Sequence, residues 1–158
     1  MTSSLQLPGT PVSEDELRAL GFRPLDLRFA SEPVALTGGA GCSWTTKGDV
    51  PDSAGLYAFT VSDGVNLRVT YVGLTTHLWM VTKGRLPRSG GARGGQRYGR
   101  PKHAGGTRQR VNILIAAERA AGRDVRHWVR PMPEADLAAE EEALITRWRL
   151  RRTGWNRG

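Results

Sequence analysis

Two short runs of mostly apolar residues in the middle of the chain predict two neighbouring β-strands. Residues 55–61 and 67–73 are rich in β-branched and aromatic side chains, and residues 62–66 lie between them. This short connection contains Asp63 followed by Gly64, a typical turn signal between paired strands. The pattern therefore predicts a β-hairpin.

The rest of the pattern predicts one further strand and several helices. Valines alternate with charged residues and Trp128 over residues 125–130, and prolines close this third strand. Apolar residues recur at helical spacing elsewhere, and Ser, Thr or Pro at the start and Gly at some ends supply the usual boundary signals. The helices are predicted at about residues 14–20, 75–82, 107–121 and 133–150.

This order of elements predicts an α+β fold. From residue 51 it is β-β-α-α-β-α, which indicates a small three-stranded antiparallel or mixed sheet flanked by helices. Residues 1–50 hold the short helix at about 14–20 and then show little periodicity, so they are interpreted as an N-terminal extension, helix plus loop. That segment is too short for a core of its own, and residues 51–158 are predicted to form the domain.

Composition narrows the class of protein. The chain has 158 residues, three histidines and one cysteine, Cys42, which has no partner for an intramolecular disulfide. A disulfide scaffold is therefore excluded, and the lone cysteine favours a reducing compartment. No apolar run approaches the length of a membrane span, and the start does not resemble a signal peptide. We expect a cytoplasmic protein without a membrane partner.

The net charge of +8 is concentrated in the second part of the chain. Residues 1–54 hold four Lys and Arg against seven Asp and Glu, whereas residues 55–158 hold 19 against eight. Residues 83–110 carry nine cations, eight glycines and no acid. Such a field predicts a nucleic-acid partner, since neutralised phosphates release counterions; the alternative is an arginine-rich solubilising surface. The predicted nucleic-acid contacts are Arg88, Arg93, Arg97, Arg100, Lys102, Arg108 and Arg110.

One carboxylate of the last predicted helix falls within its apolar stripe. At about 100° per residue, Glu141 lies about 40° from Leu137, inside the apolar stripe that also includes Leu144 and Ile145. An ionised carboxylate is costly to bury unless it is paired or holds a cation. Glu141 is therefore a candidate metal ligand, and the alternative is a salt bridge to an arginine at the rim of the packed face.

Two tyrosines in the hairpin are candidates for a shared site. With an odd number of loop residues, Tyr57 stands opposite Tyr71 and both hydroxyls project from one face of the sheet. A two-residue turn instead pairs Tyr57 with Thr70 and sends Tyr71 to the other face. The alternative to a site is an aromatic cross-strand pair in the core.

The spacing of these residues resembles the motif pair that names the GIY-YIG nuclease superfamily. Gly55-Leu56-Tyr57 is followed after 13 residues by Tyr71-Val72-Gly73. Downstream, Arg85, Glu141 and Asn156 resemble the family's helix arginine, its terminal glutamate and its closing asparagine. The similarity covers about residues 51–158.

The resemblance implies a nuclease that hydrolyses phosphodiester bonds in DNA with one Mg²⁺ or Mn²⁺ ion. It implies that Glu141 ligates the metal and that Tyr57 helps to activate the attacking water. Tyr71 would hydrogen-bond in the same cluster, Arg85 would bind the scissile phosphate, and Asn156 would hold the C-terminal segment. A tyrosine hydroxyl has a pKa near 10, so cations or metal-bound water must stabilise its anion if it acts as a base.

Several assignments stay open at this level. The family's usual position for the arginine is Val81 here, so either Arg85 or a later arginine fills that role. A nine-residue insertion would make Tyr98 the family's next aromatic residue, with His103 as the competitor. RNA is not excluded as substrate, and a double-strand cut would require a homodimer or two visits. The alternative function is a non-catalytic nucleic-acid-binding module with the same fold.

Overall fold

The three strands predicted from the hydrophobic pattern lie side by side at the centre of an antiparallel sheet. The computed structural model describes residues 6–36, 38–47, 50–78 and 107–157, without the side chains of Lys47 and of residues 107–109. Within these residues the sheet has six strands in the order β1-β7-β6-β8-β2-β5, and β3 and β4 form a separate two-stranded sheet. The strands are β1 Thr10–Pro11, β2 Arg23–Phe29, β3 Val34–Leu36, β4 Gly39–Gly41, β5 Trp44–Lys47, β6 Gly55–Ser62, β7 Leu67–Thr75 and β8 Asp124–Pro131.

The prediction of a three-stranded sheet is wrong, because residues before position 50 add strands at both edges. β1 pairs with β7 at one edge, and β2 pairs with β8 and carries β5 at the other. A signal for β2 was present: Leu25, Leu27 and Phe29 alternate with charged residues. Pro24 obscures this alternation, because it cannot donate to the strand ladder. The α+β class is confirmed, with a larger sheet than expected.

Four α-helices lie within the described residues, and three of them follow predicted helices. The first begins at Ser13, whose side chain accepts a hydrogen bond of 3.0 Å from the backbone N–H of Glu16. The helix predicted at 133–150 divides, because Arg149 takes a left-handed conformation with φ 53° and separates the last turn. The helices are α1 Glu14–Ala19, α2 Thr107–Ala120, α3 Leu137–Arg147 and α4 Leu150–Thr153, and a 3-10 turn at Glu134–Asp136 precedes α3.

Successive side chains of the central strands pack into two separate cores, one on each face of the sheet. Tyr57, Phe59 and Tyr71 belong to the core that includes Ile115 of α2. Leu56, Ala58 and Val72 belong to the core that includes Leu144, Ile145 and Trp148 of α3. The two faces of β6 are therefore covered by different helices.

Both hairpin registers considered from the sequence are wrong. Tyr57 stands opposite Gly73, and Phe59 stands opposite Tyr71. The turn has four residues, closed by the Asp63 carboxylate, which accepts from the backbone N–H groups of the two residues at positions 65 and 66 at 2.9 and 2.7 Å. A β-bulge between Phe59 and the next residue then shifts the register by one more position.

The helix predicted at 75–82 falls mostly outside the described residues. Where the chain is described, none of the helices has the length and apolar character needed to cross a membrane.

Candidate functional site

Tyr57 and Tyr71 share one face of the sheet despite the changed register. Their ring centroids lie 6.3 Å apart with an angle of 36° between the planes. Tyr57 is 3% exposed and Tyr71 is 8% exposed. The two phenols therefore form one cluster, as expected, at a diagonal rather than directly opposite position on the two strands.

The glycine of the second motif accommodates the ring of Tyr57. A Cβ atom at Gly73 would lie 2.5 Å from the Tyr57 hydroxyl oxygen, far inside van der Waals contact. Any larger residue at this position would displace the phenol. The fixed pairing of Tyr57 with Gly73 thus places the hydroxyl over the β7 backbone near the end of the strand.

The outer edge of β7 next to this position is held by the C-terminal segment. The side chain of Asn156 accepts from the backbone N–H of Val72 at 3.0 Å and donates to the carbonyl of Val72 at 2.8 Å. The backbone N–H of Trp155 donates to the Thr70 carbonyl at 2.7 Å. Asn156 therefore satisfies a free strand edge. Its expected role in holding the C-terminal segment is confirmed.

Glu141 approaches the same strand edge from the other face of the sheet. It lies on α3, is half-buried, and interacts with the backbone N–H of Leu74, the residue after Gly73. Burial raises the pKa of the Glu141 carboxyl above its ordinary range, and the neighbouring Glu142 raises it further. Arg151 and the hydrogen bond from Leu74 oppose this shift.

The two neighbouring glutamates of α3 form ion pairs, whereas Glu141 forms none with the described residues. Glu140 accepts from Arg130 at 2.8 Å, and Glu142 accepts from Arg151 at 2.7 and 2.8 Å. Among the described residues, no cation lies within 4.0 Å of the Glu141 carboxylate. The alternative of a rim salt bridge is therefore not realised within this part of the chain.

These properties fit a divalent metal ligand. Mg²⁺ prefers carboxylate oxygens and retains several waters, so a single protein carboxylate is compatible with its coordination. A half-buried carboxylate with a raised pKa gains most from a nearby cation. The described residues contain no group of three or more metal-ligating side chains. Glu141 would hold an ion together with water or substrate oxygens.

His127 lies in the aromatic cluster beside Tyr57 and Phe59. It is fully buried, stacks on Phe59 with centroids 4.6 Å apart, and meets Tyr57 edge-on at 5.7 Å. Neither of its ring nitrogens has a hydrogen-bond partner within the described structure. Burial lowers the pKa of His127 to about 3, so the ring is neutral. His127 is therefore a neutral core residue.

Most of the basic segment lies outside the described residues. Arg110 is half-buried and donates to the carbonyl of Trp155 at 2.8 Å, so it also ties α2 to the C-terminal segment. The expected roles of the remaining candidates stay predictions. Those outside the described part are Arg85, Arg88, Arg93, Arg97, Tyr98, Arg100, Lys102, His103 and the side chain of Arg108.

The sequence did not reveal how other polar residues are used. Asn112 of α2 accepts from the Cys42 N–H and donates to its carbonyl, both at 2.8 Å, which anchors the β4 end to α2. Four of the tryptophans are buried in the cores. They are Trp44, Trp128, Trp148 and Trp155.

No protein-family model, curated protein or solved structure matches this chain.

Proposed function

We propose that this protein is a metal-dependent endonuclease that hydrolyses phosphodiester bonds in DNA, as its resemblance to the GIY-YIG nucleases implies. One observation supports this most strongly. The Tyr57 hydroxyl lies over Gly73 on one face of the sheet, and the Glu141 carboxylate lies beside Leu74, the next residue of β7, on the other face. Both groups therefore approach the same end of β7.

The roles of the residues follow from their chemistry. Glu141 would hold Mg²⁺ or Mn²⁺, which when bound supplies Lewis-acid stabilisation of the charge on the phosphate oxygens. Tyr57 would accept a proton from the attacking water, and Tyr71 would keep that phenol in position. Arg85, or a later arginine, would bind two phosphate oxygens through its guanidinium fork.

The proposed partner and location follow from charge and from Cys42. The cationic residues of the basic segment, residues 83–110, would contact phosphates without reading sequence. The Cys42 thiol is buried, and burial raises its pKa to about 12, which suits a stable free thiol in the cytoplasm. One site cuts one strand at a time, so a double-strand cut would require two copies or two visits.

Plasmid nicking tests the proposal directly. We expect wild-type protein to nick supercoiled DNA with Mg²⁺ or Mn²⁺, and to stop when EDTA is added. Glu141→Gln should reduce nicking at least about 100-fold, since it removes the charge that holds the ion. Glu140→Gln is the matched control and should retain activity, because Glu140 serves Arg130. Undiminished nicking by Glu141→Gln would refute the metal-ligand role.

A non-catalytic nucleic-acid-binding module is the second candidate, and the burial of both tyrosines favours it. A phenol that must meet a water molecule needs access to it. If wild-type protein binds DNA but nicks no duplex, branched or single-stranded substrate with either metal, this second function is the correct one.

A further inference from the structure

A cleft opens where β2 and β8 separate, far from the tyrosines along the same face of the sheet. The two strands pair only over Arg23–Leu25, although β8 begins at Asp124. From Asp26 onward, β2 pairs on its other side with β5. The gap has a volume of about 540 Å³, and the C-terminal end of α2 and the residues after it close one wall.

The cleft combines apolar side chains with a stacked guanidinium. Leu27, Phe29 and Val125 line it. The Arg119 guanidinium lies 3.9 Å from the centroid of the Phe29 ring. A planar group can pack against this surface, because arginine and aromatic faces both stack on flat π-systems.

Arg119 is the cation of this cleft that remains available for an anion. Arg123 is bound to Glu118 at 2.6 Å, and Arg126 lies between two carboxylates at 3.3 and 3.8 Å. Arg119 is exposed, and within the described chain no carboxylate lies within 4.0 Å of it. Its donors therefore face solvent at the wall of the cleft.

Two exposed carboxylates, Asp26 and Asp124, complete the lining of the cleft. Asp124 already accepts from Arg126 at 3.3 Å, so Asp26 is the carboxylate assigned to the ligand. A carboxylate accepts from the exocyclic amino groups of nucleic-acid bases, and a guanidinium donates to phosphate. The volume lies within the range of small-ligand sites, about 300–1,000 Å³.

We propose that this cleft binds one unpaired nucleotide of single-stranded DNA, with its base against the apolar lining and its phosphate on Arg119. A base in a duplex has its Watson–Crick edge occupied and its faces stacked, so only an unpaired base can enter. This inference rests on the proposed function in taking DNA as the partner.

The position of the cleft suits a strand that crosses the candidate site. α2 leads from Arg110, near Trp155 at the β7 edge, to Arg119 at the cleft, a rise of about 14 Å. The cleft and the candidate site therefore lie at opposite ends of this helix.

Fluorescence anisotropy with a labelled 12-nucleotide single-stranded DNA, in EDTA so that no cleavage occurs, tests this inference. We expect Arg119→Gln to weaken binding about 5- to 10-fold, since it loses a phosphate contact and a stacking surface. Arg28→Gln is the matched control: it removes one exposed arginine outside the cleft, on β2, the strand that carries Phe29. It should weaken binding less than about 2-fold.

Blunt duplex DNA and single-stranded RNA of the same sequence complete the experiment. The extra loss from Arg119→Gln should be absent on the duplex. Equal losses for Arg119→Gln and Arg28→Gln, an equal extra loss on duplex, an extra loss confined to RNA, or no binding of the single strand by wild-type protein would each overturn the inference. Because EDTA removes the metal, a selective loss with a protein that never nicks DNA would support the cleft and refute only the nuclease proposal.

Discussion

The two faces of the central strands differ in how they use polar groups. On the α3 face, Leu56 and Ala58 pack against apolar side chains, and the indole N–H of Trp128 donates to Thr60 at 2.9 Å. On the α2 face, Tyr57 lies beside His127, whose ring nitrogens have no partner within the described residues. Burying unpaired polar atoms costs stability. Apart from Glu141 at its edge, the α3 face is explained by packing, whereas the α2 face retains groups that packing does not require.

The largest expected effect comes from truncating a large buried side chain on the α3 face. Trp128 is fully buried, so Trp128→Ala should lower the free energy of unfolding by about 3–5 kcal/mol in urea titrations. Any loss of nicking should then follow the fraction of unfolded protein. A loss of stability below about 1 kcal/mol would show that this face is not the packed core described.

The matching test on the α2 face removes one oxygen atom. Tyr57→Phe should change stability by less than about 1 kcal/mol, because the ring and its contacts remain. It should reduce nicking at least about 100-fold under single-turnover conditions, since proton transfer at the attacking water is lost. Tyr71→Phe, which removes a positioning group, should cost about 10-fold. Equal nicking by wild-type protein and Tyr57→Phe would contradict the assigned role.

Loss of the Asn156 side chain should destabilise the outer edge of β7. Asn156→Ala leaves the N–H and carbonyl of Val72 without their partners, which should lower the free energy of unfolding by about 2 kcal/mol. Asn66→Ala, in the exposed hairpin turn, is the control and should stay within about 0.5 kcal/mol. If the two variants unfold at the same urea concentration, the hydrogen bonds of Asn156 do not stabilise the edge of β7.

The smallest expected effect is the pH dependence of stability at Glu141. Its pKa is raised in the folded state, so folding favours the protonated form, and its contribution is lost as pH rises through the folded pKa. Glu141→Gln should therefore match wild type in Tm near pH 4 and exceed it slightly at pH 7.5, because solvent screens a half-buried carboxylate. A lower Tm at pH 7.5 would indicate that Glu141 has a stabilising partner.

The sequence predicted the periodic elements well and the tertiary details poorly. The hairpin, β8 and α2 have strong local signals, whereas β1 is too short to recognise and Pro24 obscures β2. The hairpin register depends on a β-bulge at Thr70, whose carbonyl accepts from Trp155 far along the chain. No local pattern contains that contact.

For the candidate site too, local patterns were predictable and tertiary contacts were not. One of the two hairpin registers considered from the sequence grouped Tyr57 with Tyr71, although neither register is the one formed. The helical angle was enough to mark Glu141 as unusual. Their approach to neighbouring residues of β7 depends on how α3 packs against the sheet. That packing is a property of the folded chain, so it could not be predicted from the sequence.

A double-mutant cycle in single-turnover nicking tests most directly whether Tyr57 and Glu141 form one catalytic site. Residues that act as a unit show non-additive losses. We predict that the variant carrying both Tyr57→Phe and Glu141→Gln nicks no more slowly than the slower single variant. Losses that multiply in the double variant would show that the two residues act independently, and would contradict the account.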